Sequence, residues 1–205
     1  MTHRNARYWF LFGLVVLMVL FSGQLKAQSI TNITITRNPD PKPCCEKDLE
    51  DIRATIGGDV LVNAKFTVVR EFTAASERLI YAGSCREDED RTKGCTIYVS
   101  ERMYKSFTKE ERYVVLAHEV CHFVEDKKNG TLGIKKTEDE KKASEYPADK
   151  CSLEIIVRLG IDPNAFVSAL KKTRDSYRGD KETVKLLEDR ISKIKQEIKA
   201  IKKKK

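Results

Sequence analysis

Two histidines four residues apart, His118 and His122, enclose a glutamate, Glu119, in the stretch YVVLAHEVCHF at 113–123. Residues i and i+4 share one face of an α-helix, so both imidazoles can reach a common point. H-E-x-x-H on a helix is a zinc-binding signature, because both ring nitrogens can then lie about 2.0–2.1 Å from one ion. The glutamate falls beside the open coordination position, where it can take a proton from a water whose pKa zinc lowers to about 7. Val115, Leu116, Val120, Cys121 and Phe123 around the motif are uncharged. The chain has three histidines, and the one outside the motif, His3, belongs to an N-terminal leader. Two histidines merely hydrogen-bonded in a core would leave a buried glutamate unexplained, and burying ionisable groups without partners costs several kcal/mol.

Zinc that keeps a fourth position for water needs a third protein ligand. With no histidine left, that ligand must be Asp, Glu or Cys. Glu145 is the leading candidate, and Asp149 follows one turn later on the same helical face. In this reading Glu145 completes the donor set for a single Zn2+ ion. Asp149 accepts a hydrogen bond from a ligand imidazole and fixes its orientation. The competing reading is an exposed carboxylate pair at a helix start, where acids are favoured.

These residues need elements to hold them. Thr108 and Glu111 form a T-x-x-E capping box, so the motif helix should begin near Lys109, and its apolar residues all round make it a buried helix. A turn is expected at Asn129-Gly130. The next helix is read over SEYPADKCSLEIIVRLG, with Ser144 as N-cap and Pro147 in the first turn. Gly160 ends it, and IDPNAFVSALKKT begins another. Upstream, CEKDLEDIRATIGG suggests a helix, and KFTVVREF, RLIYAGS and CTIYVSE suggest strands, the last as an edge for an extended peptide. The fold class is therefore α+β: a small sheet, an active-site helix, a second ligand-bearing helix and a C-terminal amphipathic helix.

Residues 1–27 read as a signal peptide. Arg4 and Arg7 precede the apolar run YWFLFGLVVLMVLF, which is shorter than the ~20 residues of a spanning helix, and a cut is offered after Ala27. An uncleaved leader would instead associate the protein with a membrane. Export to a periplasmic or extracellular space makes disulfides the expected state of the six cysteines. Cys85 with Cys95 would staple a polar loop, and Cys121 with Cys151 would join the two ligand-bearing segments. Residues 28–45 form a strand and linker, 46–180 the main domain, and 181–205 a basic tail. Of the formal charge of +8, the tail carries ten Lys/Arg against four Asp/Glu, and the main domain is nearly neutral. Export argues against nucleic acid as a partner. Val184, Leu187, Ile191, Ile194, Ile198 and Ile201 make a heptad seam. It suits an amphipathic helix packed on its own domain or, in a sharper reading, a coiled-coil partner for 184–201.

IYVSERMYKSFTKEERYVVLAHEVCHF followed by SEYPADKCSLEIIVRLGIDPNAFVSALKKT resembles the gluzincin metallopeptidases related to the CAAX prenyl protease and HtpX. The likeness covers roughly residues 66 to 192. E-x-x-A-D falls on Glu145, Ala148 and Asp149, and a G-x-D-P ending falls on Gly160, Asp162 and Pro163. The resemblance implies a zincin-like domain with zinc on His118, His122 and Glu145, Glu119 as base and Asp149 behind a ligand. The connection between the motifs is short, closer to that of the ImmA/IrrE-like proteases, and the multi-pass membrane helices of the larger relatives are absent. A histidine common beyond the third ligand is missing. DSYRGD stands in its place, which makes Tyr177 or Arg178 the candidate donor to a developing oxyanion.

The expected function is that of an exported zinc metalloendopeptidase, a hydrolase acting on protein or peptide substrates. The alternative from another class is a non-catalytic, metal-stabilised envelope-binding module that acts through its basic heptad tail.

Overall fold

The computed structural model describes residues 42–43, 45–57, 65–84, 94–132 and 134–203. The leader, most of the strand read at 28–45, and residues 85–93 lie outside them, and with Cys85 so does the expected Cys85–Cys95 bridge. Four strands form one mixed sheet: β1 (Lys42–Pro43), β2 (Lys65–Glu71), β3 (Ala82–Ser84) and β4 (Gly94–Ser100), in the order β1-β2-β4-β3. β2 and β4 run parallel, and β1 and β3 flank them antiparallel. Alternation along the two central strands sends Phe66, Val68, Ile97 and Val99 into the core.

The helices among the described residues are α1 (Glu46–Ile56), α2 (Ala74–Arg78), α3 (Glu101–Ser106), α4 (Lys109–Lys128), α5 (Glu138–Arg158), α6 (Asn164–Ser176) and α7 (Lys181–Lys203). β4 is not the edge that its sequence suggested. RLIYAGS makes a strand only at its end, because Thr73 caps the short α2 over its first residue. The three residues of β3 then cover the outer side of β4 and become the edge themselves.

The motif helix α4 starts where the capping box requires. Thr108 Oγ1 accepts from the Glu111 backbone N–H at 3.3 Å, and Glu111 Oε2 accepts from the Thr108 N–H at 2.7 Å. Buried Glu111 also accepts from Ser168 at 2.6 Å and Lys172 at 2.7 Å, fastening this end of α4 to α6. The chain leaves α4 through Asn129 and Gly130, whose φ of 66° suits a residue without Cβ.

Helix α5 is longer than its sequence suggested. Thr137 is its N-cap, with a capping box to Glu140, whereas Ser144 sits inside and donates back to the Lys141 carbonyl at 2.8 Å. Pro147 is therefore in the helix interior, not in its first turn. Both Pro147 and Ala143, whose carbonyl loses its i+4 donor, are exposed, so water can satisfy the freed group. Glu145 and Asp149 point the other way, towards α4.

Residues 181–203 form no separate tail. Leu187, Ile191, Ile194 and Ile198 are buried, and α7 packs on α6 and α5. The seam that would serve a coiled-coil partner is filled by the domain itself, as an amphipathic helix on its own core requires. Among the described residues, no helix is long and apolar enough to cross a membrane.

Candidate metal centre

Two contacts set the register of α5 on α4. Ser152 Oγ donates to the Val114 carbonyl at 3.0 Å, one turn before His118. Cys121 and Cys151 are joined by a disulfide with a Cα separation of 6.0 Å, so the expected bridge between the ligand-bearing segments is present. The loop closed by this bridge spans 30 residues. Chain-entropy arguments give such a cross-link about 3–4 kcal/mol of stability. Reduction, or paired Cys121→Ala and Cys151→Ala replacement, is expected to lower the unfolding free energy by that amount. Urea titration with and without reductant, in the presence of chelator, measures it.

With the register set, His118, His122 and Glu145 converge, and this group can hold a metal ion. His118 Nε2 and His122 Nε2 lie 3.1 Å apart, and Glu145 brings Oε2 to 3.4 Å from the first and Oε1 to 3.4 Å from the second. Tetrahedral ligands at about 2.0–2.1 Å from an ion stand roughly 3.3 Å from one another. The donor spacing thus fits a small divalent cation. The charge balance fits too, since among the described residues Glu119, Glu145 and Asp149 face one permanently cationic side chain, Arg190, once the imidazoles give up their protons to bind metal.

Asp149 is fully buried, with Oδ1 2.9 Å from His118 Nδ1. The contact is close but poorly aligned for N–H donation, leaving that nitrogen without a hydrogen-bond partner of good geometry. It is best described as an electrostatic pair that restrains the ring. The competing reading of an exposed carboxylate pair at a helix start fails here. Glu145 lies well inside α5, and its partner is at zero exposure.

The residue that sequence reasoning missed is Arg190. From α7 it donates Nε to Asp149 Oδ2 at 2.8 Å and Nη2 to Asp149 Oδ1 at 2.6 Å, while Nη1 pairs with Glu145 Oε2 at 2.6 Å. One signal pointed to it. Among the ten basic residues of 181–205, Arg190 is the one arginine, and its planar fork is what bidentate carboxylate pairing needs.

Electrostatics follow from this packing. Burial opposes the charge on Asp149, but the Arg190 guanidinium outweighs it and holds the carboxyl below its usual range. For Glu145, hydrogen bonds from the two imidazoles and the charge of Arg190 likewise overcome burial and lower the pKa. Burial would lower His118, yet Asp149 and Glu145 raise it from 6.5 to about 9 in the metal-free site. A raised folded-state pKa adds stability that is complete below the unfolded value, near 6.5, and is lost as pH climbs through 9. The metal-free protein is therefore expected to melt lower at pH 9.5 than at pH 6.5. Added metal should weaken or reverse that trend, because it binds the deprotonated ring. Thermal melts with chelator and with zinc across this range test the sign.

A cavity of about 290 Å³ opens on the cluster, with His118, Glu119, Glu145 and Arg190 in its wall. Glu119 is nearly buried and stands outside the donor triangle. Tyr177 also lines the cavity, and burial raises its pKa, which keeps the hydroxyl a donor. Arg178, the other candidate from the sequence, is exposed and not in the cavity wall. No protein-family model matches the chain, and no curated protein sequence matches it.

Proposed function

We propose that the protein is an exported zinc-dependent metalloendopeptidase. The observation that carries this reading is the cluster of His118, His122 and Glu145 donor atoms, close enough together to hold one ion, beside the carboxylate of Glu119 at the wall of a cavity. A zinc ion bound there would polarise a scissile carbonyl and acidify a water. Glu119 would be placed to take a proton from an attacking water and return it to the leaving amine. Asp149 restrains His118, and Arg190 is a positioning residue, its donors committed to Asp149 and Glu145. Tyr177 is then the side chain left to donate towards negative charge developing on the carbonyl oxygen. An extended substrate would lie along β3, the sheet edge next to α4, by main-chain pairing.

Metal analysis of the wild type beside Glu145→Ala tests the centre. One equivalent of zinc is expected in the wild type. The variant, left with two ligands, should lose most of it and lose cleavage of unfolded casein with it. Stoichiometric zinc in the variant would remove Glu145 from the donor set. The rival reading is a non-catalytic, metal-stabilised binding module working through residues 181–205; with the apolar seam of α7 buried in the domain, its exposed lysines would be the working surface.

A further inference from the structure

The cavity beside the metal cluster is lined by two chemically different sets of side chains. One set is His118, Glu119, Glu145 and Arg190. The other includes Ile80, Val115, Phe166, Leu170, Leu186 and Leu187, drawn from the segment before β3, from α4, from α6 and from α7. The other ionisable side chains of the wall are the tyrosines Tyr81 and Tyr177, and burial holds both hydroxyls above their ordinary pKa, so they stay neutral. The apolar residues of the wall offer no counter-charge, and an ionised side chain packed against them loses its hydration without return. The volume of about 290 Å³ falls at the lower limit of pockets that enclose a whole small ligand, which suits a single bulky side chain.

We infer that this cavity is the specificity pocket of the site and takes one large uncharged side chain, aliphatic or aromatic, from the residue flanking the scissile bond. The inference rests on the peptidase reading for the word scissile, and on the cavity alone for the side chain. Its polar residues hold the amide at the metal cluster while its apolar residues select the neighbour. The C-terminal helix contributes to both sets, Arg190 to one and Leu186 and Leu187 to the other. Substrate choice is thus built partly from the segment that the sequence presents as a basic tail.

The probes are amino-acid hydroxamates with leucine, phenylalanine, glycine or aspartate side chains, titrated calorimetrically into the zinc-loaded full chain. Leucine and phenylalanine forms are expected to bind roughly 10–100-fold tighter than the glycine form, from the apolar area buried, and the aspartate form weakest. Leu186→Lys, at a half-buried position in the wall, should erase the leucine preference and improve aspartate binding. Leu186→Met should retain the preference. Melting temperature and zinc content report whether each variant is folded. Equal affinities for glycine and leucine probes in the wild type would overturn the pocket while leaving the peptidase reading intact. A leucine preference without cleavage of any unfolded protein would support the pocket and overturn the peptidase reading instead.

Discussion

Glu119→Gln is expected to leave zinc stoichiometry and melting temperature unchanged and to lower peptide cleavage by roughly 10²–10⁴-fold. The glutamate is nearly buried beside the donor triangle but is not one of its corners. Glutamine keeps its size and can still hydrogen-bond a water, yet it cannot accept a proton at neutral pH. The candidate metal ligands, the Cys121–Cys151 bridge and the Asp149–Arg190 pair are untouched, so a general loss of structure is not the expected cause. The measurement is cleavage of a quenched peptide with metal content determined on the same preparation. Turnover near the wild-type value in the glutamine variant would remove Glu119 from the chemistry.

The second large effect concerns Arg190. Its guanidinium bridges two carboxylates, one of them fully buried, and a buried charge stripped of its partner typically costs about 3–5 kcal/mol. Arg190→Ala is expected to lose stability of that order in the metal-free protein. Arg190→Lys should recover only part of it, because one ammonium cannot make the bidentate contact with Asp149 and also reach Glu145. Zinc affinity should fall in both variants as Glu145 and the His118 ring lose their restraint. Denaturant titration with chelator and zinc titration at fixed pH separate the two effects. If Arg190→Ala unfolded at wild-type denaturant concentrations, the pair would have no structural weight. Deleting residues 181–205 goes further, removing Arg190 and four buried aliphatic residues together. Truncation should therefore unfold the domain, and would not excise a separable binding arm.

The seam on α7 shows how a local pattern can be right while its use stays open. Val184 to Ile201 follow heptad spacing whether the buried stripe faces a partner helix or the same domain, because amphipathic periodicity states only that one face avoids water. The contacts of α7 with α6 and α5 decide that question. Pro147 shows the reverse. Its sequence context suggests a helix start, since proline is best tolerated there. The capping box at Thr137 extends the helix by two turns, and the proline is accommodated by facing solvent.

What the sequence by itself determined was the part governed by helical geometry within one element. The spacing of His118 and His122, the position of Glu119 between them, the start of α4 at its capping box, and the shared face of Glu145 and Asp149 all follow from 3.6 residues per turn. What only the tertiary structure decided was how separate elements meet. It placed β3 and not β4 at the sheet edge, put Arg190 against Asp149, excluded Arg178 from the cavity wall and lined that cavity with residues of α6 and α7. Local periodicity carries the direction in which a side chain points along its own helix. It does not carry the partner brought to that side chain from dozens of residues away, which depends on how the buried faces pack together.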